Sequence, residues 1–310
     1  MLQSAERNMM KLIRTGKVKQ VYEVDDQTLE FLFTDNISVF DKVIPTQIQF
    51  KGETLCRSAA FWFQVLRKAG IRTHFTELIP PNRMRVKRVE IITDYNRINT
   101  NTSNYLIPLE FISRHYVAGS LWDRIGRGEI SAEELGFDKG HVPKYGEELP
   151  RPFYEVTTKL EPVDRLLTMD EALKISGLSK EEMDNLFDTV ARIDEIIAEE
   201  VGERMLIHVD GKKEFALDDK RNLMLVDTFG TADEDRWWDD DAYAKGECVE
   251  LSKEAVRQYY RNSGYYDELM KARKAGTPEP EIPALSPDEI KKVGELYIEM
   301  FERLTGESFR

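Results

Sequence analysis

Cysteine is almost missing from this chain, with only Cys56 and Cys248 among 310 residues. Two thiols so far apart have no metal-ligand spacing and build no disulfide framework, so a reducing cytoplasm is the expected setting. Long apolar runs are missing too. No stretch approaches the roughly 18 apolar residues that suggest a membrane span, and no secretory apolar segment stands at the start. Positive charge is in short supply: Lys+Arg 44 against Asp+Glu 57 leaves −13. That balance excludes a general nucleic-acid binder, which needs a basic surface. It leaves room for a local basic pocket around a small phosphorylated ligand. Neither nucleic acid nor membrane is therefore an expected partner.

What is present is enough for a sizeable core. The chain is 41% hydrophobic and 33% charged, and its length suits two packed units better than one. Lys19 to Glu23, Leu29 to Thr34 and Gln47 to Phe50 are candidate strands, with Asp25-Asp26 as a hairpin turn. Thr54 to Ala69 carries the apolar stripe of a helix, and Gly70 stops it. Met84 to Thr93 and Leu106 to Ser113 look extended. This predicts a β-rich nucleotide-binding lobe over 1–107, with Pro108 at the crossover, and a second α+β lobe over 108–310. Gly136 to Thr157 is rich in Gly, Pro and charge and is expected to be a partly mobile, substrate-covering segment. Ser179 with Glu182 forms a capping-box pattern ahead of a long amphipathic helix. Lys253 to Tyr260, Tyr265 to Ala275 and Pro287 to Thr305 read as further helices. The apolar face of the last one suits packing within the chain or in a homodimer.

The densest chemistry lies in Leu206-Ile-His-Val-Asp-Gly-Lys-Lys-Glu-Phe215 and Leu223-Met-Leu-Val-Asp-Thr-Phe229. In an extended segment residues i, i+2 and i+4 share a face, so Asp210, Lys212 and Glu214 point the same way. Asp227 ends the next apolar run, where a second metal-binding carboxylate can stand. Acid, base and acid on a buried face are costly without a charged ligand; a nucleotide with a divalent ion fits them. Upstream, Gly16-Lys-Val-Lys19 offers a glycine turn and alternating lysines for phosphate. It matches neither the Walker nor the dinucleotide fingerprint. Thr34 to Asp41 reads as a polar loop holding Ser38 and Asp41. Arg114 lies in an apolar run with Gly119-Ser120 beyond it, a fork, hydroxyl and backbone N–H groups suited to a phosphate monoester. Lys159 follows Thr157-Thr158. Arg236 precedes Trp237-Trp238, and Lys253 and Arg257 stand at i and i+4.

These pieces, in this order, resemble the phosphoribosylaminoimidazole-succinocarboxamide synthase (SAICAR synthetase) family. They are Gly16-Lys-Val-Lys19, Thr34 to Asp41, Arg114 with Gly119-Ser120, Thr158-Lys159, Asp210-x-Lys212-x-Glu214-Phe215, Asp227, Asp233-x-x-Arg236-x-Trp238 and Lys253-x-x-x-Arg257. The resemblance spans roughly residues 10 to 260. It implies a two-lobed α+β fold broadly similar to kinase and ATP-grasp arrangements, with antiparallel sheets flanked by helices and the active site in the interlobe cleft. It implies ATP and Mg2+ as cofactors. The implied substrates are 5-amino-1-(5-phospho-D-ribosyl)imidazole-4-carboxylate (CAIR) and L-aspartate, joined through an acyl phosphate to give SAICAR, ADP and phosphate in purine biosynthesis.

On that basis Gly16, Lys17 and Lys19 would hold ATP phosphates, and Glu214 and Asp227 the metal. Lys212 would neutralise charge, with Asp210 as a polar contact. Arg114, Gly119, Ser120 and Arg236 would grip the ribonucleotide phosphate. Ser38, Asp41, Lys159, Lys253 and Arg257 would meet CAIR or aspartate, and Asp233 is a candidate to take the amine proton. The chain departs from the family pattern at Ala216, where glycine is common, at Thr228, where glutamate is common, and at Ser252, where aspartate is usual. A different ATP-dependent small-molecule kinase, or a non-catalytic nucleotide-binding protein, is the competing reading.

Overall fold

Alternating side chains and tight turns in the first part of the chain build an antiparallel sheet. A computed structural model describes residues 10–310; the first nine residues of the expected N-terminal lobe lie outside the described residues. Strands β1 (Lys11–Thr15), β2 (Lys19–Glu23) and β3 (Thr28–Phe33) form a meander, with the Asp25-Asp26 turn where the sequence puts it. The short strands β4 (Asn36–Val39) and β5 (Lys42–Gln47) then pair as a separate hairpin. Thus Thr34 to Asp41 is not simply a loop, and the strand expected over Gln47 to Phe50 is not formed: the extended segment is Lys42–Gln47, and 48–50 turn into the next helix. Phe40 and Asp41 have φ of 51° and 67°, a tight-turn geometry that apolar periodicity does not reveal.

Helix α1 (Lys51–Lys68) begins three residues before the expected Thr54. Its N-terminal cap is supplied from a distance: Gly52 N–H donates to Asp35 Oδ1 at 2.9 Å. Strands β6 (Phe75–Ile79) and β7 (Arg83–Lys87) complete the first sheet in the order β1-β2-β3-β7-β6, and α1 packs against β3, β6 and β7. The extension expected to reach Thr93 stops at Lys87.

Strand β8 (Tyr105–Tyr116) opens the second sheet. Pro108, expected at the crossover, lies inside this strand. Its missing N–H is tolerated because the β8–β10 register shifts between Glu214 and Ala216, next to it. Helix α2 (Gly119–Gly126) follows, and then β9 (Glu148–Thr158). The segment 136–157, expected to be a partly mobile cover, therefore supplies much of an edge strand. Leu149 packs with Val117, Leu121, Ile130 and Leu135 in a small core of its own. Pro150 and Pro152 concealed the strand in the sequence, yet proline is admissible on an edge.

Helix α3 (Met169–Ser176) carries a Thr168–Glu171 capping box, and α4 (Lys180–Gly202) carries the expected Ser179–Glu182 box. Strand β10 (Leu206–Leu217) then pairs along one edge with β8. Along the other edge it pairs twice: β11 (Leu223–Val226) takes its C-terminal end and β12 (Arg236–Asp239) its N-terminal half. The connection 227–235 emerges between these two short strands, beside the middle of β10. Helices α5 (Asp240–Tyr243), α6 (Glu254–Asn262), α7 (Tyr265–Ala275) and α8 (Pro287–Thr305) finish the chain. The buried Val293, Tyr297, Met300, Phe301 and Leu304 of α8 belong to the packing against α1. Much of the apolar face of this helix is covered within the chain, while Ile290 and Leu296 stay half-buried. Among the described residues no helix is long and apolar enough to cross a membrane.

Candidate active site

A cavity of about 440 Å³ opens between the two sheets. The first sheet and its neighbours give it an apolar wall, with Val21, Leu29, Phe31 and Val86, and a basic rim, with Gly16, Lys17 and Lys19. The second sheet contributes Leu106, Glu214 and Val226, and the polar end is completed by Lys159, Asp227 and Glu234. Glu214 and Asp227 thus share a cavity. The reason is local: Glu214 sits opposite Val226 in the β10–β11 ladder, and Asp227 is the next residue.

Alternation puts Asp210, Lys212 and Glu214 on one face of β10, and each finds opposite charge. Lys212 Nζ donates to Glu110 Oε1 at 3.0 Å and also pairs with Glu214. Lys159 closes on Glu214 from β9's end, and Lys19 on Asp227. Burial pushes the Lys212 ammonium down, but Glu214, Glu234 and Glu110 reverse it and hold its pKa well above the usual range. Burial likewise pushes the Glu214 and Asp227 carboxyls up, and their lysines more than offset it, leaving both below the usual carboxylate range. Glu110 goes the other way: burial and Glu214 raise it despite Lys212 and Lys159.

Two buried or half-buried carboxylates facing three lysines make a donor set of hard oxygens with positive charge around it. Magnesium takes one or two carboxylates and completes its shell with phosphate and water, so these residues fit a magnesium–nucleotide complex. Thr228 adds no carboxylate beside Asp227, but its hydroxyl donates to Glu234 Oε1 at 3.4 Å, and Glu234 lies 4.0 Å from Lys212. The fold recovers from a residue further along the chain an acid that the Asp227-Thr228 pair lacks.

A second basic centre lies at the other end of the β10 face. Asp210 stands opposite Arg114 on β8 and Arg236 on β12. Arg236 pairs with Asp210 and reaches Glu254 at 3.0 Å; Arg114 Nη1 is 3.7 Å from Asp210. Arg114 also donates to Glu155 at 2.6 Å and to Ser120 Oγ at 3.0 Å. Gly119 begins α2 with φ of 53°, and a Cβ there would come within 2.6 Å of Arg236 Nη1. The guanidinium therefore lies against glycine backbone at a helix N-terminus, an arrangement made for an anion. Burial raises the Asp210 carboxyl, but Arg236 and Arg114 hold it below its ordinary value.

Asp233 belongs to neither cluster. It accepts from Lys51 Nζ at 2.9 Å and from the Tyr297 hydroxyl at 2.5 Å, and Lys253 lies at 3.4 Å. Burial pushes its carboxyl up, yet Lys253 and Lys51 hold it far below the usual range. A carboxylate so held is an anchor for the connection 227–235 and a poor proton acceptor. Arg257 turns to Glu254 at 3.0 Å, so it and Lys253 meet different acids. Asp41 pairs with Lys17 at 2.6 Å on the rim, and Ser38 sits half-buried on the β4–β5 hairpin.

The sequence reading missed Glu110, Glu155, Lys51, Glu234 and Tyr297. All but Glu234, six residues from Thr228, are far in sequence from the group they serve. Lys51 is the instructive case: a lysine opening a helix looks solvated, and nothing local marks it as fully buried.

The SAICAR synthetase family profile matches residues 12–272. A phosphoribosylaminoimidazole-succinocarboxamide synthase of Thermoplasma acidophilum is 53% identical over 300 residues, covering 97% of this chain and 100% of the relative. Its namesake in Thermoplasma volcanium is 54% identical with the same coverage. A solved SAICAR synthetase in complex with ADP superposes with TM-score 0.68 at 25% identity, covering 96% of this chain and 99% of that one.

Proposed function

This chain belongs to the SAICAR synthetase family and carries out that family's ATP-dependent ligation in purine biosynthesis, and from that premise we propose how its cleft divides the work. The observation that carries the assignment is one cavity that joins an apolar wall of Val21, Leu29 and Val86, suited to a base, to a polar end of Lys19, Lys159, Glu214 and Asp227. ATP lies with its adenine on Val21, Leu29 and Val86 and its phosphates toward Gly16, Lys17 and Lys19. Glu214 and Asp227 hold Mg2+, which when bound neutralises the phosphate oxygens.

The second substrate is CAIR, its phosphate on Arg114, Arg236, Ser120 and the N–H groups that open α2. This places its imidazole carboxylate near Lys212. A carboxylate oxygen attacks the γ-phosphorus, the bond to the β,γ-bridging oxygen breaks, and ADP leaves. The L-aspartate amine, as free –NH2, then attacks the acyl carbon; inorganic phosphate departs with the electron pair of the C–O bond, and the proton the nitrogen sheds as the amide forms leaves on that phosphate. Lys159, Lys212 and Lys253 supply positive charge for the three carboxylates brought together. No covalent enzyme group is required; positioning and electrostatics carry the rate. The setting is the cytoplasm, in keeping with two free thiols.

The test is product formation. ADP release that requires both CAIR and L-aspartate supports the assignment. Release with a simple alcohol in place of CAIR supports a kinase instead, and binding of ATP without turnover supports a nucleotide-binding protein.

A further inference from the structure

Behind the phosphate-binding face of the second sheet lies a cluster the ligation does not use. The register shift between His208 and Asp210 turns His208 away from the cleft and toward α4. His115, next along β8 from Arg114, points to the same side. Asp194 of α4 approaches both: its Oδ2 is 3.8 Å from His115 Nε2 and its Oδ1 is 3.9 Å from His208 Nδ1. These distances are too long for hydrogen bonds, and His115 Nε2, Asp194 Oδ2 and His208 Nδ1 are all buried without a partner. One ligand atom from each residue lies within 4.8 Å of the others.

The surroundings look like the outer shell of a metal site. His208 Nε2 donates to Asp235 Oδ2 at 2.7 Å, which fixes the tautomer and leaves Nδ1 with its lone pair toward Asp194. Asp235 is itself held by the Gly230 N–H at 3.0 Å. A Cβ on residue 211 would come within 2.9 Å of His208 Nε2 and would also strike Asp235, so glycine keeps that pair intact. Lys213 Nζ takes the other oxygen of Asp194, at 2.5 Å, and anchors to Ser113 Oγ at 3.1 Å. Lys213 fixes the carboxylate with Oδ2 turned toward His115.

We propose that His115, Asp194 and His208 form a structural site for a divalent transition ion of the zinc class. Two imidazole nitrogens and one carboxylate oxygen are the donor set such ions select over magnesium. Small side-chain rotations bring the three atoms onto one ion at about 2.0–2.1 Å, and a water completes four-coordination. The ion ties α4 to β8 and β10 directly behind Arg114 and Asp210, stiffening the ribonucleotide-phosphate end of the cleft.

The experiment uses the whole chain, produced in zinc-supplemented medium and dialysed against excess magnesium to fill the cleft carboxylates. Elemental analysis is expected to find about one zinc per chain. The same protein produced with cobalt should show the visible absorption bands of tetrahedral Co2+. His115→Ala, chosen because His115 is the least buried of the three, should lose both signals while keeping its circular dichroism. His115→Gln is the second variant if alanine impairs folding. Wild-type protein that holds no more zinc or cobalt than these variants, or shows no tetrahedral bands, overturns the proposal and leaves the cluster to an ordered water.

Discussion

At the scale of single residues, the cleft is a set of charges that neutralise one another until ligands arrive. Lys19 and Lys159 lie on the very carboxylates proposed to hold magnesium, so binding exchanges ammonium–carboxylate pairs for metal–carboxylate and ammonium–phosphate ones. Asp227→Asn should leave folding intact and cut turnover by about 10²–10³-fold, the scale of removing one electrostatic stabiliser. A magnesium titration of turnover checks it, and an unchanged titration removes Asp227 from the metal site. At the other centre, Arg114→Ala should weaken CAIR binding by ~2–4 kcal/mol, since the contact is buried and charged. Calorimetric titration with CAIR reads this directly. Gly119→Ala adds a methyl where Arg236 already lies 2.6 Å away and where φ is positive. It should raise KM for CAIR about 10–100-fold, or ~1.4–2.8 kcal/mol, with KM for ATP nearly unchanged.

At the scale of elements, the sequence yields what local signals govern. Ser179 with Glu182 and Ser286 mark helix starts because a side-chain oxygen within three residues satisfies the orphan N–H groups. Thr168 with Glu171 carries the same signal ahead of α3. The shared face of Asp210, Lys212 and Glu214 follows from strand alternation alone. What stayed hidden depends on partners far along the chain. The cap of α1 comes from Asp35, the edge that admits Pro150 and Pro152 exists only once β8 is in place, and Glu110 acquires meaning only opposite Glu214. Helix α8 illustrates the same limit. Its apolar face was plain, but that Tyr297 reaches a buried carboxylate was not. Tyr297→Phe removes one hydrogen bond to a buried charge and should cost ~1.5–3 kcal/mol in urea unfolding. Lys51→Met should cost ~3–5 kcal/mol, because it strands Asp233 with less countercharge.

For the whole molecule, pH acts through groups that the fold keeps in one protonation state. Burial lowers the His74 pKa to about 3 and that of His115 to about 4. Between the ordinary histidine value of 6.5 and those figures, the unfolded chain takes up protons that the native protein refuses. Stability from these two groups is therefore present above pH 6.5 and lost on acidification, at most ~1.4 kcal/mol per pH unit for each. Glu250 opposes them. Burial raises its carboxyl to about 7 from an ordinary 4.5, so its contribution is present below 4.5 and lost as pH rises toward 7. Burial also raises the Glu110 and Asp164 carboxyls, so they act in the same direction as Glu250, and the histidine share of the acid limb is read from a histidine variant. The carboxylates held low, such as Asp227 and Asp233, add their loss only below their ordinary value of 3.8. His74 packs edge-on against Phe31 and Phe63, so His74→Phe keeps a ring there and should flatten this acid limb. Urea midpoints at about pH 7 and about pH 5 test it; an undiminished loss in the variant assigns the limb to other groups.

The clasp on Asp233 also has a bearing on birth order. Translation runs from the N-terminus, so Lys51 emerges 182 residues ahead of the acid it will meet, while the Tyr297 hydroxyl follows that acid by 64. A nascent chain can assemble the first sheet and helix early, but its active-site loop waits unlatched for α8. The loop that carries Asp233 thus gains its last hydrogen bond only once the ribosome has delivered that helix.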